Sequence, residues 1–139
     1  SNQLNSQQIS VAEALTKSGD VDLIIGHHAH VVQPIQKVNG VWVIYGMGNV
    51  LSNLPTDERW PASSQDAAIF TITMHRDDAG KVSFDTPVVH PTWVDKQNGW
   101  IIRDIQKSLA NQNNSGVNAQ ELELSLGRTT RVLGDFIAG

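Results

Sequence analysis

The architecture turns on residues 21–30, Val21-Asp22-Leu23-Ile24-Ile25-Gly26-His27-His28-Ala29-His30. A short, mostly apolar run that ends in glycine has the pattern of a buried strand. Three of the next four residues are histidines. If the chain stays extended beyond Gly26, positions two apart share a side. His28 and His30 then face one point, and His27 faces away, toward a second layer or a substrate. A sharp turn at Gly26 would exchange these roles. Imidazole is the commonest metal-ligating side chain. The end of a central strand is also where α/β sheets place their ligands. A tag remnant or a chance surface patch is the alternative, but a tag sits at a terminus in an unbroken run. This cluster lies between two apolar segments.

Working outward, residues 5–18 predict a helix with Ile9, Val11, Ala12 and Leu15 on one broad face and Gly19 as its stop. Val31 to Lys37 reads as extended. Asn39-Gly40 between apolar runs is a strong hairpin signal, with Val41 to Tyr45 as the return strand. Gly46, Gly48 and Asn49 follow. Residues 52–66 predict a long loop with Pro55 and Trp60-Pro61. Ala67 to His75, a turn at Asp77-Asp78-Ala79-Gly80, and Lys81 to His90 predict a second hairpin, with Ala68, Phe70, Ile72 and Met74 on one face. Trp100 to Ala110 predicts a helix through Ile101, Ile102, Ile105 and Leu109. Residues 111–118 read as a break, and Ala119 to Leu126 as a short helix closed by Gly127. The tail from Arg128 suits a helix packing back on the body. The fold class is α/β, a mixed sheet with β-hairpins and flanking helices.

With 139 residues, 40% hydrophobic and 17% charged, the chain can build one real core. The net charge of −4 without basic blocks gives no sign of a nucleic-acid surface. No stretch approaches the roughly 18 apolar residues of a membrane span. The absence of cysteine excludes disulfides and zinc–thiolate sites. Ser1-Asn2 without a methionine reads as a tag scar on a piece cut from a longer protein, with no signal segment of its own.

Two histidines are too few for a closed metal site, which takes about four ligands. The others should include carboxylates. Asp20 and Asp22 lie at the far end of the strand, and Asp57, Glu58 and Asp66 of the long loop have no diagnostic spacing. The site is incomplete as written.

Residues 22–34, Asp22-Leu23-Ile24-Ile25-Gly26-His27-His28-Ala29-His30-Val31-Val32-Gln33-Pro34, resemble the CapA family of bacterial capsule-synthesis and poly-γ-glutamate-biosynthesis proteins, related to calcineurin-like metallophosphoesterases. A second block, Val43-Ile44-Tyr45-Gly46-Met47-Gly48-Asn49-Val50, is similar to a strand running into Leu-Gly-Asn-Phe, with Met47 and Val50 as mild replacements. The resemblance is good over about residues 8–75, fades through the second hairpin, and carries no information beyond about residue 98.

The resemblance implies the C-terminal part of a calcineurin-like α/β/β/α sandwich. Residues 1–97 would be the C-terminal half of the metallophosphatase domain and 98–139 a helical extension. It implies a site for two divalent ions (manganese, iron or zinc) in the whole protein. His28 and His30 would be the metal ligands, and the remaining ligands would come from a missing N-terminal part of the same protein. His27 becomes a catalytic candidate as proton donor, and Asn49 a substrate-binding one. The fragment alone would be inactive. The resemblance also implies a cell-envelope or extracellular-face location and envelope-biosynthesis machinery as partner. The rival reading is a non-enzymatic scaffold or polymer-handling subunit of an envelope export machine. Strands lacking upstream partners would leave open edges, so self-association of the fragment is a further expectation.

The remaining candidates read as structural. Asn49 could equally bond its own backbone as a turn residue. Tyr45 reads as core, and His75 and His90 as ordinary hydrogen-bonded histidines. Trp42, Trp93 and Trp100 read as packing residues rather than a polymer platform. Trp60, in the long loop, is the exception, and Arg59 beside it could meet an anionic substrate, with a solvated arginine as the default reading.

Overall fold

The computed structural model describes residues 1–55, 57–111 and 116–139. Helix α1 (Ser6–Lys17) begins at a reciprocal cap: the Asn5 side chain accepts from the Gln8 amide while the Gln8 side chain accepts from the Asn5 amide. It leads into β1 (Leu23–Ile25), then the hairpin of β2 (Ile35–Val38) and β3 (Val41–Ile44). These three make one sheet in the order β1-β3-β2, with β1 parallel and β2 antiparallel to β3. The turn between β2 and β3 is Asn39-Gly40, both at positive φ (48° and 84°), as the sequence predicts for a tight hairpin.

Two sequence expectations change here. The buried face of α1 is Ala12 and Thr16, not Val11 and Leu15, which are exposed along with Ile9. Small side chains let the helix lie close over Val43 and Tyr45. Thr16 is further held by the Asn39 side chain, 3.0 Å away. Strand β1 is not buried either. It pairs only with β3 among the described strands, and Ile25 is 57% exposed.

A second sheet, in the order β4-β7-β8, contains β4 (Asp66–Thr71), β7 (Val88–Asp95) and β8 (Ile101–Asp104), all antiparallel. The predicted second hairpin is present but divided. Its tip forms a separate ribbon of β5 (Met74–Arg76) and β6 (Val82–Phe84), where Met74 faces solvent instead of extending the buried face of Ala68. A single bridge, Gly48 to Ala67, joins the two main sheets, while Val32 to Met47 continues the β2–β3 register beyond the hairpin strands. The core between them contains Val32, Ile35, Ile44, Ala68, Val89 and Leu133.

The predicted helix from Trp100 begins instead as β8. The β-branched Ile101 and Ile102 pair with Asp95 and Val94, as such residues favour extended backbone. Asp104 then caps α2 (Ile105–Ala110) by accepting from the Lys107 amide. The predicted break at 111–118 falls partly on residues 112–115, outside the described residues. Helix α3 (Ala119–Leu133) runs through Gly127 rather than stopping there, and a short 3-10 turn (Gly134–Phe136) follows. A Cβ at Gly127 would meet open space, so this glycine marks no tight approach. Leu122, Ser125, Thr129 and Leu133 line the buried stripe that carries the helix past it. The result is a mixed α/β chain of small sheets with flanking helices. No helix among the described residues is long and apolar enough to cross a membrane.

Candidate metal-binding site

The histidines sit where β1 ends and the chain crosses toward β2. Gly26 is required at the exit, because a Cβ there would overlap the Tyr45 carbonyl oxygen. Its amide donates to the Ile44 carbonyl at 2.6 Å, extending the β1–β3 pairing by one residue. Beyond it the backbone does not stay extended. His28 and His30 both adopt positive φ, 82° and 59°. That conformation is uncommon outside glycine and costs on the order of 1–3 kcal/mol per residue, and it concentrates at functional sites. The spacing argument from an extended strand is therefore replaced by two local turns.

Those turns still bring the rings together. The imidazoles of His28 and His30 lie with centroids 5.8 Å apart, tilted by 50°, and both residues are exposed. His27 separates from them. It lines a groove of about 260 Å³ between α1 and the sheet, with Gln8, Val11, Ile24 and Tyr45. The His28 amide donates to His27 Nδ1 at 2.7 Å, so the neutral His27 ring carries its hydrogen on Nε2.

Asn49 reaches this loop from the second sequence block. Its Oδ1 lies 2.9 Å from His30 Nδ1. Its Nδ2 donates to the His30 carbonyl at 3.1 Å and to the Ser64 carbonyl at 2.8 Å. Asn49 thus bonds across the chain, not to its own turn. Gly48 makes this possible at φ 75°, pressed so close to the Asp66 backbone that a Cβ would overlap its carbonyl oxygen. Trp60 of the long loop meets the His30 ring edge-on, 6.2 Å between centroids. Arg59 beside it is paired with Asp57 at 3.2 Å, and that contact holds the Asp57 carboxyl below its ordinary pKa.

The other sequence candidates are accounted for elsewhere. Asp66 is fully buried and bound by Arg128, whose Nε and guanidinium nitrogen donate at 2.6 and 2.7 Å, and by the Ser125 hydroxyl at 2.7 Å. Its oxygens are committed to α3 and do not face the histidines. The pairing was missed in sequence. A carboxylate opening an apolar strand needs a partner, but Arg128 lies 62 residues away. Asp95 is likewise buried, held by Arg103 and Asn98. His75 pairs with Asp85 at 3.0 Å and His90 contacts Thr71 at 3.3 Å, so both are ordinary partnered histidines. Trp42 packs edge-on against Phe136. Tyr45 is buried in the core under α1. Asp77 accepts from the Ala79 and Lys81 amides and is a turn residue. Among the described residues no three His, Asp or Glu side chains gather as a metal-holding group. The histidine pair supplies imidazole donors of the right chemistry for a divalent ion, but only two of the about four a closed site takes.

Fold and site together define a mixed α/β protein that presents paired imidazoles at a strand exit. Residues 1–54 match the family model described as bacterial capsule synthesis protein PGA_cap. The chain is also similar to the PGA biosynthesis protein CapA of Bacillus subtilis (strain 168), 31% identical over 87 residues, which is 63% of this chain and 21% of that relative. Both likenesses are to capsule-synthesis proteins of the CapA kind, and the chain spans about a fifth of the length of the curated relative it matches. No solved structure matches it.

Proposed function

We propose that the chain is the His-x-His portion of a CapA-like metallophosphatase acting in capsule or poly-γ-glutamate biosynthesis. His28 and His30 would each supply an imidazole to a divalent centre of manganese, iron or zinc, two ions in the whole protein. Ions held by these residues and by further ligands would supply Lewis-acid activation of a phosphoester and of a water nucleophile. His27, in the groove beside α1, is the candidate proton donor to the leaving oxygen, a role that would need its imidazolium form and a substrate extending to that side. The observation that carries this reading is the 5.8 Å approach of two exposed imidazoles on a doubly strained loop.

The remaining ligands would come from further polypeptide of the same protein. The free edge of β1, together with exposed Ile9, Val11, Leu15 and Ile25, supports a face made to be covered. Alone, the fragment would be inactive, and through the same edge it would self-associate.

The test compares the full-length protein with its His28→Ala and His30→Ala variants on a generic phosphoester with manganese. The expected result is hydrolysis by the parent and a loss of at least about 100-fold in each variant. Hydrolysis that survives both substitutions removes the metal assignment. A protein with no hydrolysis, whose variants still support polymer export in cells, would instead favour the scaffold or polymer-handling reading.

A further inference from the structure

Asn49 is bound in a way that dictates the chemistry of its neighbour. Its amide faces three groups: His30 Nδ1 at 2.9 Å, the His30 carbonyl at 3.1 Å and the Ser64 carbonyl at 2.8 Å. Two of these are carbonyl oxygens, which only accept. The NH2 end must therefore point at them, because the reverse orientation would set Oδ1 against two oxygens. Oδ1 is then the atom facing His30, and it can only accept. The hydrogen between them has to come from the imidazole, so His30 Nδ1 must be protonated. In the neutral ring this leaves the lone pair on Nε2.

We propose that Asn49 is a positioning residue for His30, which locks the Nδ1–H tautomer and presents Nε2 as the ligating atom. This rests on the metal reading only for what Nε2 would bind; the tautomer assignment stands on the hydrogen bonds. Metal-binding histidines characteristically donate their second ring N–H in this way, to a carboxylate, carbonyl or water. Here the acceptor is a side-chain amide that reaches across from residue 49. The same amide ties the histidine loop to Ser64 in the short 3-10 turn (Ala62–Gln65), so it joins the loop bearing Trp60 to the ring that Trp60 contacts. Asn49 has both Nδ2 hydrogens and one lone pair of Oδ1 engaged within the chain. Its hydrogen bonds serve His30 first.

The tautomer is read directly from long-range 1H–15N spectra of the uniformly labelled 139-residue chain at pH 9, without metal. Wild type should show His30 with Nδ1 protonated and Nε2 bare. Asn49→Ala should shift His30 toward the Nε2–H form that solvent-exposed imidazoles favour. Asn49→Asp keeps an acceptor and should retain Nδ1–H. The His75 and His90 resonances, remote in sequence and separately partnered, report that each variant remains folded. A wild-type His30 protonated on Nε2 overturns the proposal even if no variant folds, as does an Asn49→Ala protein with an unchanged tautomer. Zinc titration of the same samples separates the two claims. Wild-type shifts at His28 and His30, weakened about 10-fold or more by Asn49→Ala, support both. A locked tautomer with no zinc response keeps the positioning role, and the metal assignment is then decided by the full-length His28→Ala and His30→Ala comparison.

Discussion

The histidine loop and the Asp66–Arg128 pair are both polar constructions at sheet ends, and they are opposite in kind. Asp66 is 0% exposed and Arg128 closes on it with two short bonds, while Ser125 takes another lone pair. Every acceptor there is used, and water is excluded. The hydrogen bond to Asp66 raises the Arg128 pKa still further, outweighing the burial that would lower it. His28 and His30 are exposed, held in backbone conformations that cost energy, and oriented from one side only. A sealed ion pair specifies how α3 lies on β4. An open, strained pair of rings stabilises little and leaves its lone pairs for something else.

The sharpest way to break this contrast is Arg128→Ala. It leaves a carboxylate in the core without its counter-charge and should cost about 3–5 kcal/mol in urea unfolding. His28→Ala, on the open side, should stay within about 0.5 kcal/mol. Equal losses would mean that the histidine loop is structural after all.

A smaller effect tests the seam between the regions. Gly48→Ala adds a Cβ at φ 75° against the Asp66 backbone, where a side chain has no room. It should destabilise by about 1–3 kcal/mol, measured the same way, and should disturb the Asn49–His30 contact in the amide spectrum. An unchanged midpoint would show that the two sheets are less tightly joined at this bridge than the geometry states.

The smallest effect lies beneath the histidine side, at Tyr45. Burial of its ring, helped by the Glu13 charge, holds its hydroxyl above the ordinary 10.0. The unfolded tyrosine ionises first as pH rises, so the folded state keeps its full stability below about pH 10 and loses it from there up through the raised pKa. Tyr45→Phe should flatten that alkaline decline in unfolding midpoints measured between pH 9 and 11, without changing the acid side. An identical slope in the variant would assign the decline to other groups.

How much of this was legible in the chain depends on the range of the interactions. The capped first helix, the Asn39-Gly40 hairpin and the strand before the histidines are written in neighbouring residues, and they were readable. The later part of the chain misled wherever a local pattern competed with a distant partner. Ile101 and Ile102 satisfy helical spacing, but β7 offers them a ladder. Gly127 looks like a stop, but the stripe of Leu122, Ser125, Thr129 and Leu133 continues the helix over the sheet. The site divides in the same way. His28 and His30 were visible as a pair, whereas the geometry that joins them comes from positive φ and not from an extended strand. Asn49 was visible as a candidate, but its hold on His30 spans 19 residues.

Local chemistry along the chain was enough to say that imidazoles gather after a short strand and that glycines flank them, and two motifs carried the resemblance to the CapA family. It could not say which ring nitrogen is free, that Trp60 stands against His30, or that Asp66 is sealed rather than available. Those depend on contacts between residues tens of positions apart. Such contacts form only when the two sheets close on one another, because a hydrogen bond's partner is selected by position in space and burial determines whether water can replace it.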